Sequence, residues 1–198
     1  MKDETRLIHT KAGRGPVNTV NPPIERGSTV LLPTRDVLYG DGKTYGRMGL
    51  TAQRELEQAL KVLENAKHCR LATNGLQSCA LAIGAVVKSG DHILISDSIY
   101  GPTRRFCTRR LTAMGVEMTR FSPLIGAEIK DLIQPNTHAI VLESPGSLTF
   151  DIMDTPAIAA IAKANGVITI FDNTWGVGVL HKPLDLGVDI SVQALTKY

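Results

Sequence analysis

The sequence predicts an α/β fold built on a mostly parallel sheet with helices on both faces. Three observations carry that reading. From Leu50 onward, helical and strand-like patterns alternate. Most of the strand segments are continuous apolar runs, the mark of strands buried on both faces. Polar residues gather where those runs end: Asp97 and Tyr100, Glu143 and Ser144, Asp172 and Asn173, Thr196 and Lys197. In parallel sheets, ligands bind beyond the carboxyl ends of the strands, so these clusters mark where a site belongs.

Residues 1–49 stand apart. They are rich in Gly, Pro, Arg and Asn and lack a sustained period, which predicts an extended arm rather than a domain. Leu56, Leu60 and Leu63 at helical spacing predict a helix over 51–65. A second, of small residues, follows Asn74-Gly75 over about 76–88 and stops at Ser89-Gly90-Asp91. The run 92–96 reads as a strand, and Gly101-Pro102 opens a helix reaching about Ala113. A strand over 116–121, a helix near 126–133 and a strand over 139–143 follow. A helix over 156–164, ended by Asn165-Gly166, precedes two terminal strands, 167–171 and 189–194. No internal repeat or low-complexity tract interrupts this order. Residues 50–198 therefore read as one large domain.

Composition narrows the function. With 198 residues, 43% of them hydrophobic, the chain has enough apolar mass for one core of moderate size. Its net charge of +3 is dispersed, and the densest cluster, Arg104-Arg105 with Arg109-Arg110, lacks the interleaved aromatics of a nucleic-acid surface. No stretch approaches the ~18 apolar residues of a membrane helix, and the amino terminus has no apolar signal region. Three cysteines without Cys-x-x-Cys spacing read as reduced thiols of a cytoplasmic protein. The five histidines form no pair at ligand spacing, so no metal site is expected.

Chemistry concentrates in two positions. Lys197 follows an apolar strand, Asp172 closes the neighbouring one. Taken singly, the lysine reads as a solvated loop residue and the aspartate as a turn cap. Together they are the two groups that pyridoxal phosphate (PLP) requires: a carboxylate to keep the ring nitrogen protonated and an amine to form a Schiff base with the aldehyde. Phosphate needs backbone N–H groups at a helix start; Ala72 to Ser78, where Gly75 lets the backbone approach closely, suits one, though alone it reads as a plain turn, and Thr196 could add a hydroxyl. Tyr100 stands where an aromatic could stack on a flat ring. Tyr45 and Arg47 lie in a glycine-rich loop suited to an anion, or simply to solvent.

These motifs resemble the Cys/Met-metabolism group of PLP-dependent enzymes: Tyr45-Gly46-Arg47, Asn74-Gly75-Leu76, Asp97-Ser98-Ile99-Tyr100-Gly101-Pro102, Glu143-Ser144-Pro145-Gly146-Ser147, Phe171-Asp172-Asn173-Thr174-Trp175 and Gln193-Ala194-Leu195-Thr196-Lys197-Tyr198. The resemblance spans essentially the whole chain. It implies the large domain of the aspartate-aminotransferase-like fold (fold type I), with a carboxyl-terminal domain absent from this chain. It implies a homotetramer of paired active-site dimers, in which Tyr45 and Arg47 of the arm reach the phosphate in a neighbouring subunit. It further implies a phosphate cup of Gly75, Leu76 and Thr196, with Tyr100 on the ring, Asp172 at its nitrogen and Lys197 as Schiff-base lysine. Lys197, Tyr100 and Asp172 are thereby the expected catalytic residues.

Within the group the chain is most similar to the cystathionine β-lyases. Many γ-acting members read Glu-Ser-Pro-Thr-Asn-Pro where this chain has Glu143 to Leu148; separately, many members of the group carry a phosphate-binding serine where it has Ala194. The implied reaction cleaves cystathionine, a small amino-acid thioether, to homocysteine, pyruvate and ammonia in methionine biosynthesis. A γ-synthase, a γ-lyase or another C–S lyase is the alternative within the class. An inactive assembly fragment, or a nucleotide-binding module lacking its usual fingerprint, are the alternatives outside it. Because the chain ends one residue past Lys197, where the family continues, it is expected not to hold a complete site by itself.

Overall fold

The computed structural model describes residues 2–8, 21–40 and 44–198. Two compact units make it up, Met1–Leu71 and Ala72–Tyr198.

The first unit holds helices α1 (Asp3–Ile8) and α2 (Thr51–Glu64), which pack together, and two 3-10 turns, Arg35–Tyr39 and Gly46–Met48. The expected helix over 51–65 is α2, and the residues read as an arm fall with it in this unit. Leu50 at the N-cap has no side-chain acceptor, so the helix borrows one. Glu25 accepts from both the backbone N–H and the hydroxyl of Thr51, each at 2.7 Å, while Gln53 accepts from Leu50 N at 2.6 Å. Thr51 accordingly holds the Glu25 carboxyl below its ordinary range.

The second unit contains α3 (Gly75–Gly84), β1 (His92–Ser96), α4 (Gly101–Arg105) continuing as a π-helical turn (Phe106–Leu111), β2 (Glu117–Phe121), β3 (Thr137–Glu143), α5 (Thr155–Ala164), β4 (Ile168–Asp172) and β5 (Ile190–Val192). All five strands pair in parallel in the order β2-β1-β3-β4-β5. The chain leaves β1 for one side of it and then returns to the other, so the β1/β3 boundary is a topological switch point.

Alternation along the strands builds two cores, one on each face. Ile93, Ile95, Ala139, Val141 and Ile170 face Cys79 and Ile83 of α3 and Cys107 and Leu111 of the π turn. Leu94, Ile140, Leu142 and Phe171 face Ile158, Ala159 and Ala162 of α5 and Ile129 of a 3-10 helix, Gly126–Leu132. This double cover explains the unbroken apolar runs.

Element boundaries differ from expectation for local reasons. Helix α3 stops at Gly84 because Val86 and Val87 turn down onto the first core. The last strand is only Ile190–Val192: the N–H of Ala194 is drawn from the ladder to the Thr174 hydroxyl, 2.9 Å away. No helix among the described residues is long and apolar enough to cross a membrane.

At the amino end of β1, the buried His92 ring bonds Thr137 Oγ1 at 2.7 Å and Thr119 Oγ1 at 2.9 Å. Burial lowers its pKa below the ordinary histidine value. The unfolded chain thus binds the proton first, and this contribution to stability, full near neutrality, is lost as pH falls through the ordinary value of about 6.5. Urea unfolding between about pH 7.5 and 5 should show a midpoint falling with pH, and His92→Gln should flatten that slope.

Candidate active site

The carboxyl ends of four strands and the amino end of one helix supply the site, all within the second unit. Asp172 is the last residue of β4. Its Oδ1 accepts from Thr174 N at 3.1 Å and Thr174 Oγ1 at 2.6 Å, and its Oδ2 accepts from Cys79 Sγ at 3.5 Å. The Cys79 thiol, buried and beside this carboxylate, is pushed far up in pKa and stays a donor.

The Thr174 hydroxyl that donates to Asp172 also accepts from Ala194 N at 2.9 Å. Asn173 N donates to Val192 O at 2.7 Å. The ends of β4 and β5 are thereby locked in register, with Asp172 opposite Val192. Thr196 and Lys197 follow in a 3-10 turn, Leu195–Lys197.

Helix α3 begins against this segment. A side chain at Gly75 would overlap the Ala194 methyl, and Ala194 Cα lies 3.2 Å from where its Cβ would be. Glycine therefore lets the helix start sit on the strand end that leads to Thr196 and Lys197. Asn74 caps the helix through Gln77 N at 2.9 Å. The N–H groups of Gly75 and Leu76 precede the first intrahelical bond, at the positive end of the helix dipole.

Bordering the switch point stands Glu143, the last residue of β3 and the ladder partner of Asp172. It is buried, and its Oε2 accepts from Tyr100 N at 2.6 Å. Burial, then the charge of Asp172, push its carboxyl up to about 8. Tyr100 caps α4 and is 43% exposed at this edge, while its neighbour Ile99 is buried. The loops after β1 and β3 are tied again by Ser147 N donating to Ser98 O at 2.7 Å. Gly146 fits there because a Cβ would come within 2.6 Å of Ser98 Cβ and 2.8 Å of Thr149 Oγ1. That packing accounts for the glycine in Glu143-Ser144-Pro145-Gly146-Ser147.

Of the residues singled out from sequence, Gly75, Leu76, Tyr100, Asp172, Thr196 and Lys197 all lie at this one edge or at the helix start facing it. Tyr45 and Arg47 belong to the first unit, where the Arg47 guanidinium lies 4.5 Å from the Tyr45 ring centroid. Glu143, Thr174 and Cys79 were not singled out as site residues. For Glu143 the signal was present, an acidic residue closing an apolar strand as Asp172 does. For Cys79 there was none.

The donor set suits PLP. An acceptor-only carboxylate meets a pyridinium N–H, two helix-start N–H groups and a hydroxyl meet a phosphate, and an amine meets an aldehyde. The sequence matches the family described as Cys/Met metabolism PLP-dependent enzyme over residues 4–198, and the chain belongs to that family. Its cofactor is pyridoxal phosphate.

Among its relatives, cystathionine beta-lyase MetC of Escherichia coli is 40% identical over 100% of this chain and 52% of its own. The crystal structure of metB from Corynebacterium glutamicum superposes with a TM-score of 0.93 at 30% identity, covering 100% of this chain and 51% of that one. A Campylobacter jejuni structure assigned as an O-acetylhomoserine (thiol)-lyase (metY) superposes with a TM-score of 0.90 at 26% identity, over 100% and 50% of the two chains. It carries N'-pyridoxyl-lysine-5'-monophosphate. The chain thus spans about half the length of the relatives it matches.

Two outcomes follow from the packing. Gly75→Ala must push α3 off Ala194, and should lower stability by about 1–3 kcal/mol in urea unfolding. Glu143 binds its proton more tightly in the folded than in the unfolded chain, so its contribution to stability is full below about pH 4.5 and is lost as pH rises through about 8. Glu143→Gln should remove that decline in melting temperature between about pH 4.5 and 8.

Proposed function

We propose that this chain forms the cofactor-binding half of a PLP-dependent C–S β-lyase that cleaves cystathionine to homocysteine, pyruvate and ammonia. The observation that carries the reading is the anchored carboxylate of Asp172, closing the strand beside the one that leads to Lys197. The 40% identity to an Escherichia coli cystathionine beta-lyase along the entire chain supports the β-lyase assignment over other C–S lyases.

In this reading, bound PLP supplies an electron sink for the substrate α-carbon. Asp172, fixed by Thr174 and Cys79, would present its carboxyl group to the ring nitrogen. Gly75 N, Leu76 N and Thr196 Oγ1 would hold the phosphate, and the Tyr100 ring would lie against the cofactor. Lys197 Nζ would act as the general base that takes the α-proton. The Cβ–S bond then breaks with its electron pair leaving on sulfur. Lys197, or the Tyr100 hydroxyl, returns a proton to that thiolate. Homocysteine departs, and the remaining aminoacrylate takes up water to give pyruvate and ammonia.

The partners in this reading are further copies of the chain, assembled in the cytoplasm as a dimer of active-site dimers. Tyr45 and Arg47 reach the phosphate of a neighbouring copy, as a guanidinium and a phenol at a glycine-rich turn allow.

Borohydride reduction of the chain with PLP, followed by peptide mass spectrometry, should fix the cofactor on Lys197, and Lys197→Ala should abolish the adduct. An adduct elsewhere, or none, would overturn the assignment and leave an assembly fragment. For the whole enzyme of which this chain would be the cofactor-binding half, pyruvate is the expected keto acid from cystathionine; 2-oxobutanoate would move the protein to the γ-acting enzymes.

A further inference from the structure

We infer that Glu143 is a positioning residue, which fixes the Tyr100 ring over the cofactor by clamping the Tyr100 main chain across the β1/β3 switch point. The inference rests on the proposed stacking role of Tyr100 and concerns a residue that neither binds the cofactor nor touches substrate.

The geometry is specific. Tyr100 is held on both sides of its Cα: its N–H donates to Glu143 Oε2 at 2.6 Å, and its C=O accepts from Arg104 N at 3.0 Å. The preceding residue, Ile99, is 2% exposed and packs in the first core. With its neighbour buried and both its peptide groups bonded, the Cα–Cβ direction of Tyr100 is set although the residue is exposed. Glu143 is the one side chain in this clamp that comes from a different strand loop. It is 8% exposed, far beyond what a solvated turn acceptor would need.

A carboxyl buried beside a second carboxylate is an unfavourable choice for a purely structural acceptor. Its partner in the ladder is Asp172, so one cross-strand pair links the residue expected at the ring nitrogen to the residue expected on the ring face. Protonated near neutrality, as its raised pKa of about 8 implies, Glu143 keeps an acceptor oxygen for Tyr100 without adding a second charge beside Asp172. A glutamine has the same shape and the same acceptor.

The test combines hydrogen exchange with a double-mutant cycle on the 198-residue chain. Without cofactor, the Tyr100 amide should exchange slowly in the wild type and in Glu143→Gln, and at least tenfold faster in Glu143→Ala. PLP affinity, followed by its absorption band, should fall roughly tenfold in Glu143→Ala, the loss expected for one hydrogen bond involving an ionisable group, and recover in Glu143→Gln. In a Tyr100→Ala background, Glu143→Ala should have no further effect on affinity.

An equal loss in both backgrounds, or no recovery with glutamine, would overturn the inference. So would an unchanged Tyr100 amide in folded Glu143→Ala. A Tyr100→Ala variant that binds PLP as the wild type does would instead remove the stacking role on which the inference depends, and would be recognised as that separate failure. Far-UV circular dichroism identifies any variant that does not fold, and Glu143→Gln, which leaves no empty space, then carries the exchange measurement.

Discussion

One side chain holds the site edge together. The hydroxyl of Thr174 donates to Asp172 and accepts from the backbone of Ala194, so the end of β4 and the segment after β5 cannot shift independently. Ala194 in turn fills the space that a side chain at Gly75 would take, which seats the start of α3. Three elements distant in sequence thus meet through one hydroxyl and one methyl. A carboxylate at a strand end is costly unless hydrogen-bonded. Here the bonds that satisfy it also set the distance between the places where a ring nitrogen and a phosphate would sit.

The other half of the edge follows a different logic. Between β1 and β3 the chain changes direction. Main-chain bonds between the two loops do the locking there, with Gly146 packed on Ser98 and Glu143 reaching Tyr100. These contacts tie together the two loops that follow the strands flanking the switch point.

Much of this was readable from residues alone. Apolar runs buried on both faces, ended by Asp172 and by the lysine turn, announce a parallel sheet and its functional edge. Periodicity located α2 and α5 to within a residue or two. What it could not supply depends on contacts between segments. The shortening of β5 arises because Thr174, 20 residues earlier, takes the Ala194 N–H. The early stop of α3 comes from two valines choosing the core over the helix. The π-helical turn after α4 has no proline or glycine to mark it. Cys79 carried no pattern at all, because its place beside Asp172 exists only once α3 lies across the sheet.

The cap of α2 carries a practical meaning for anyone choosing where to cut this chain. The residue that completes the helix start, Glu25, lies 26 positions before the threonine it serves. Sequence in that region looks like disposable connector, rich in proline and glycine. Trimming it to begin near position 30 would leave the first turn of the helix with unsatisfied donors. The fraying would then surface in a helix that had itself been left intact.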